Sequence, residues 1–224
     1  MARVSTESLF KLALAVGASA LVVWLISTIA RAEHTVTVRT RQTVVSPLYW
    51  AEIDCERRML KQMVYVVKSS DIVRPVPVNV ERNWWQHEAS KPFTLEDEDY
   101  RRSQYQRGHV RPILLSSGRP EWEDVNCTAV IVPQWPKVNS PLISGLEEHI
   151  AELASEHGQV TVIVDCRFES GVMVQLPESD EECEVPSGFA YTLMWRSGRL
   201  HQRERFEIPN IETPPSTEFA FFKE

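Results

Sequence analysis

Apolar and polar positions fall into three different rhythms along this chain. Residues 35–45, TVTVRTRQTVV, alternate with the two-residue period of a strand at a sheet edge. Residues 63–69, MVYVVKS, read as a second strand. Residues 72–80, IVRPVPVNV, keep β-branched side chains, but their two prolines cannot donate to a ladder. That stretch is therefore read as an extended edge or a loop. Residues 81–99 are polar, carry NWWQHE and the acidic run EDED, and read as a long surface loop. Residues 127–134, CTAVIVPQ, form an unbroken apolar run of the kind seen in buried strands, stopped by Pro133.

The rhythm then changes to that of a helix over about 141–156. Leu142, Ile143, Leu146, Ile150 and Leu153 make one apolar stripe. Ser140 is a suitable N-cap, Pro141 a suitable first residue and Gly158 a suitable stop. Residues 160–168, VTVIVDCRF, are the strongest strand pattern in the chain. Another strand follows at 189–195, then a hairpin turn around Ser197-Gly198 and a last strand ending near Ile208. There is no internal repeat. The pattern predicts a mixed α+β domain, rich in strands, with one clear helix after a central strand.

Composition adds an N-terminal segment of a different kind. Residues 12–29 hold no charge for 18 positions, with Arg3 and Lys11 before them and Ala30-Arg31-Ala32 after. The small-x-small triplet fits signal-peptide cleavage, and the uncharged run is also long enough to span a bilayer. Residues 1–32 are thus a signal peptide or a membrane anchor, and 33–224 a domain exported from the cytoplasm in either case. The formal charge of −7 opposes nucleic-acid binding by bulk electrostatics, so any polyanion site must be a local basic patch. Cys55, Cys127, Cys166 and Cys183 permit two disulfides in an exported protein, or four buried thiols; with no C-x-x-C, they do not suggest zinc. Asn126-Cys127-Thr128 has the form of a glycosylation sequon.

The basic patch is easy to find. Arg101, Arg102, Arg107, Arg111 and Arg119 fall between Tyr100 and Pro120 with no carboxylate among them. Guanidinium groups match phosphate oxygens bidentately, although such a cluster is also what a solvated basic face looks like. His109, within QRGHVRP, is a candidate general base. Asn139, just before the helix, could present an amide oxygen to a hard cation that keeps most of its waters. Glu147 borders the apolar stripe and can face a site, whereas Glu148 points further round toward solvent. Each residue alone also has an ordinary structural explanation.

Their order narrows the choice. Asp99-Tyr100, Ser103, Tyr105, Arg107-Gly108-His109, Pro112, Pro133-Gln134, Asn139 and Leu146-Glu147 follow one another in a register that resembles the DNA/RNA non-specific endonucleases of the ββα-metal (His-Me finger) class. The likeness covers most of residues 60–210. It implies a mainly antiparallel sheet core bearing a ββα-metal motif. It also implies His109 as the general base, Asn139 as the direct ligand of Mg²⁺ (or Mn²⁺), and Glu147 as orienting metal-bound water. Arg107 would support the site or touch phosphate, and Arg101, Arg102, Arg111 and Gln134 would contact substrate. The implied substrates are DNA and, secondarily, RNA, cut with little base preference to leave 5′-phosphate ends; relatives of this kind are often homodimers. The chain departs from the pattern at Gln106, where the family has aspartate, and at Gln104, Arg111, Ala129, Val130 and Ala151. Those departures keep a second reading in play, a protein on the same scaffold that binds nucleic acid or a partner at the membrane without cutting.

Overall fold

The computed structural model describes residues 40–72, 83–169 and 171–214. In chain order the strands are β1 (Arg41–Ser46), β2 (Tyr49–Asp54), β3 (Met59–Lys68), β4 (Gln106–His109) and β5 (Ile131–Gln134). After these come the helix α1 (Ser144–His157), β6 (Gln159–Arg167), the two-residue β7 (Val174–Gln175) and β8 (Glu182–Cys183), and finally β9 (Gly188–Ser197) and β10 (Leu200–Pro209). Six of them form one sheet in the order β1-β2-β3-β6-β9-β10, every neighbouring pair antiparallel. The fold is therefore α+β with a mainly antiparallel core, as the pattern predicts. β4 and β5 pair separately as a short antiparallel ladder.

Alternation along the strands gives the sheet two unlike faces. Tyr65 and Val67 of β3, Val160, Val162 and Val164 of β6, and Tyr191 and Leu193 of β9 are buried on one of them. The helix α1 packs there, with Leu146, Ile150 and Leu153 of its stripe buried. Its His149 bonds Glu204 of β10 across 2.7 Å. Each fully buried Leu or Ile contributes roughly 1.5–3 kcal/mol to this packing. The other face carries Thr161, Met194 and Arg203, aligned across β6, β9 and β10.

The helix begins later than its caps suggest. Val138–Ile143 is an irregular turn in which Ser140 is extended (φ −144°, ψ 121°), and α1 starts at Ser144. The residue before a proline is pushed out of the helical region, so Ser140 cannot lead into Pro141 as a helix. The apolar run 127–134 is likewise a strand only over Ile131–Gln134; Thr128–Val130 is a 3-10 turn. Residues 83–99 are more than a surface loop, since Ser90, Thr94 and Leu95 are buried. Of the edge strand expected at 35–45, residues 35–39 lie outside the described residues, as do 73–80 and the apolar run 12–29. Among the described residues no helix is long and apolar enough to cross a membrane.

All four cysteines are free thiols, so the disulfides that their number permits do not form. Cys127, Cys166 and Cys183 are buried. Burial pushes the Cys166 thiol up to about 12 and the Cys183 thiol up to about 11.

Candidate active site

The short ladder β4·β5 is the frame on which the motif residues hang. Gln106 pairs with Gln134, Gly108 with Val132 and His109 with Ile131. Gly108 is not in the left-handed region; its lack of a side chain serves another end. A Cβ at this position would lie 2.1 Å from Cδ of Gln134, whose buried side chain crosses the strand there. The residues before the ladder act as struts. Tyr100 donates its hydroxyl to Ile131 O (3.2 Å), Asp99 accepts the Glu96 amide (2.7 Å), and Ser103 donates to Tyr100 O (2.9 Å).

His109 is half-buried and fixed on two sides. Its Nε2 lies 3.0 Å from Oδ1 of Asn126, and its ring stacks on Trp84 with centroids 5.3 Å apart and planes inclined by 30°. The Nε2–H donates to Asn126 Oδ1, so the neutral ring carries its lone pair on Nδ1. The segment that carries Trp84 is tied to that of Asn126 through the next residue, Trp85. Trp85 donates its amide to Asn126 O (3.4 Å) and accepts from Thr128 N (2.9 Å). Asn126 is fully buried, which removes the sequon from glycosylation and makes it a positioning group. Sequence reasoning missed this role for Asn126 and Trp84, because nothing in local spacing joins them to position 109.

At the other end of β4, Gln106 is exposed and accepts a 2.8 Å hydrogen bond on its Oε1 from Nδ2 of Asn139. This turns the Asn139 Oδ1, a hard oxygen donor, away from Gln106. Among the described residues no three His, Cys, Asp or Glu side chains gather as a metal cluster. A cation here would thus have few protein ligands and many waters, which suits Mg²⁺, a cation that dehydrates reluctantly. The donor set fits such an ion at Asn139.

Glu147 sits on the first turn of α1 and lines a narrow crevice with Tyr65, Val110, Ile143, Leu146, Ile150 and Tyr191. Val110 directly follows His109. By surface area Glu147 is only half-buried, but the apolar walls around its side chain dominate its chemistry. Burial first, and the charge of Glu148 second, push its carboxyl up to about 8. Glu148 itself is exposed. The Tyr191 hydroxyl nearby is buried and has no hydrogen-bond partner among the described residues.

The five arginines are not a bare basic patch. Arg107 forms an ion pair with Asp97, donates to Asp97 O (2.7 Å), and lies over the rings of Trp84 and Tyr100 at 5.8 and 5.4 Å. Arg101 pairs with Glu98 at 3.1 Å and Arg102 with Glu178 at 2.9 Å, both at the surface. Arg119 pairs with Glu121 at 3.3 Å. Arg111 corrects the expectation most sharply. It is 1% exposed and donates to Ser116 Oγ, Leu48 O, Val66 O and Leu115 O at 2.7–3.0 Å, with Asp71 at 3.6 Å. An arginine so occupied is a core cross-link and does not reach substrate. Gln134, wholly buried against Gly108, is also out of a substrate's reach.

Comparison with known proteins agrees with this geometry. A family profile described as DNA/RNA non-specific endonuclease matches residues 30–224. Among solved structures, the fold is similar to a chain in the crystal structure of the EndoG/EndoGI complex, with a TM-score of 0.64 and 19% identity, over 80% of this chain and 79% of that one. No curated protein matches the chain.

Proposed function

The chain belongs to the DNA/RNA non-specific endonuclease family, and from that premise we propose that it is an exported, Mg²⁺-dependent nuclease that hydrolyses phosphodiester bonds in DNA and RNA. The observation that carries this reading is the anchoring of His109 between Asn126 and Trp84 on the same four-residue strand that ties Gln106 to Asn139. In this scheme His109 takes a proton from water on Nδ1. The water oxygen bonds to phosphorus, the P–O3′ bond breaks, O3′ takes a proton from solvent water, and a 5′-phosphate and a 3′-hydroxyl result. Asn139 would hold the cation through Oδ1, and a bound Mg²⁺ would supply charge stabilisation for the pentacoordinate phosphate and the leaving oxygen. Glu147 would accept hydrogen bonds from ordered water beside it. Asn126 keeps the imidazole in one tautomer and one plane. Arg107, neutralised by Asp97, supports the corner from beneath Trp84.

Gln106 favours a second reading, a protein that binds without cutting. Its neutral amide accepts from Asn139, but it lacks the charge that a carboxylate would bring to a hydrated cation. One experiment separates the two readings. The protein is incubated with supercoiled plasmid and with single-stranded RNA, in Mg²⁺ and in EDTA, beside His109→Ala and Gln106→Asp. The nuclease reading expects metal-dependent cleavage that His109→Ala lowers by about 10²–10⁴-fold with binding retained. It also expects Gln106→Asp to work at lower Mg²⁺. Undiminished cleavage by His109→Ala removes His109 as the base. Cleavage by Gln106→Asp alone, with none by the native chain, establishes the binder.

A further inference from the structure

The sheet face turned away from α1 carries a charge pattern of its own. Arg196 pairs with His201 across β9 and β10, and Met194 with Arg203 two positions further along the strands. With Gln159 and Thr161 of β6 these side chains line an open basin of about 640 Å³. The carboxylates of β10 are engaged elsewhere. Glu204 turns to the other face and holds His149, and Glu207 holds Arg205 (2.5 Å) and Arg167 (3.4 Å). Arg196 and Arg203 have no carboxylate within ion-pair distance among the described residues, unlike every arginine between Tyr100 and Pro120. Two unneutralised guanidiniums on an acidic protein are an anion site in search of an anion.

The spacing says which anion. His201 and Arg203 project from one face of β10 a step of about 7 Å apart, and Arg196 stands opposite His201 on β9. Successive phosphates along a nucleic-acid strand repeat at a similar interval, so two neighbouring phosphates of one extended strand can meet Arg203 and the Arg196–His201 pair. We propose that this basin is a second nucleic-acid site, which binds the phosphodiester backbone of a single strand on the side of the sheet opposite His109. The proposal rests on the reading that the protein acts on nucleic acid. The site would hold long substrates near the protein between cuts and would be indifferent to base sequence, because every contact is to phosphate.

The test measures fluorescence anisotropy of a labelled single-stranded 30-mer DNA with the full-length protein, in EDTA so that nothing is cut, across a range of salt. The native chain and the double variant Arg196→Glu/Arg203→Glu are compared, with thermal melting as the check on folding. Should the double variant fail to fold, Arg196→Gln/Arg203→Gln replaces it. The expected result is at least tenfold weaker binding by the double variant, and a salt slope shallower by about 1.4, that of two lost phosphate contacts on a single strand. Native binding with an unchanged double variant overturns the second site and leaves the nuclease reading intact. No salt-sensitive binding by the native chain overturns both. Unchanged DNA binding, with loss of adhesion to vesicles containing phosphatidylserine, overturns the nucleic-acid proposal and assigns the basin to a membrane surface.

Discussion

Two groups of arginines show how little sequence density says about availability. The segment from Arg101 to Arg119 has five arginines and no acid of its own, yet the fold brings Asp71, Asp97, Glu98, Glu121 and Glu178 to them. The β9–β10 hairpin alternates arginine with glutamate in RERFE and looks balanced, yet the pleat sends Glu204 to one face and Arg203 to the other. Charge that is concentrated in the chain ends up neutralised. Charge that is mixed in the chain leaves Arg203 without an acid, while Arg205 keeps Glu207 on its own face. The reason is geometric: strand alternation separates neighbours in sequence, while loop packing joins distant ones.

The contrast breaks first at Arg111. Truncation to Ala leaves three backbone carbonyls and Asp71 without their buried partner, so unfolding free energy should fall by about 3–5 kcal/mol and the melting temperature by roughly 10 °C. Arg196→Ala should stay within about 0.5 kcal/mol of the native chain. Equal melting temperatures for the two variants would erase the distinction between a core cross-link and a ligand-ready cation.

Acids sharpen the same comparison, since Glu147 and Glu148 are neighbours with unlike surroundings. The Glu147 carboxyl rises from its ordinary 4.5 to about 8 on folding. Between those values the folded state holds a proton that the unfolded state has released, so stability is fully present below 4.5 and is lost as pH rises through 8. Glu147→Gln, which cannot ionise, should therefore be more stable than the native chain at pH 8 by on the order of 1–3 kcal/mol. The gap should close toward pH 4.5. Denaturant melts without divalent metal at both pH values check this, and a gap independent of pH would place Glu147 in water. The smallest effect is expected at Arg102, whose ion pair with Glu178 is solvent-exposed. Arg102→Ala should cost less than about 0.5 kcal/mol, and that little should vanish in high salt.

Much of the fold was legible because burial leaves a periodic trace. Leu142, Ile143, Leu146, Ile150 and Leu153 are all buried, as the helical stripe requires. The pattern at 160–168 corresponds to β6, near the middle of the sheet. The helix start was illegible, because good capping residues and a pre-proline restriction compete at Ser140 and the restriction wins. The site divides in the same way. Motif order picks out Gln106, His109, Asn139 and Glu147, and the structure joins Gln106 to Asn139 directly. Asn126, Trp84 and Asp97 were invisible, because each reaches its partner across a turn of the chain that no local rhythm records. Arg111 was misread for the opposite reason, since its type and neighbours suggest phosphate while its depth permits only carbonyls.

Gly108 and Gln134 occupy one volume between them, and that sets an order on change. Any residue larger than glycine at position 108 meets the buried side-chain end of Gln134, which must shift to admit it. A smaller residue at 134 opens the space. A lineage, or a mutant library, therefore enlarges position 108 at the least cost once it has shortened position 134. The two sites should drift as one locus with a fixed direction of travel, although twenty-six positions separate them in the chain.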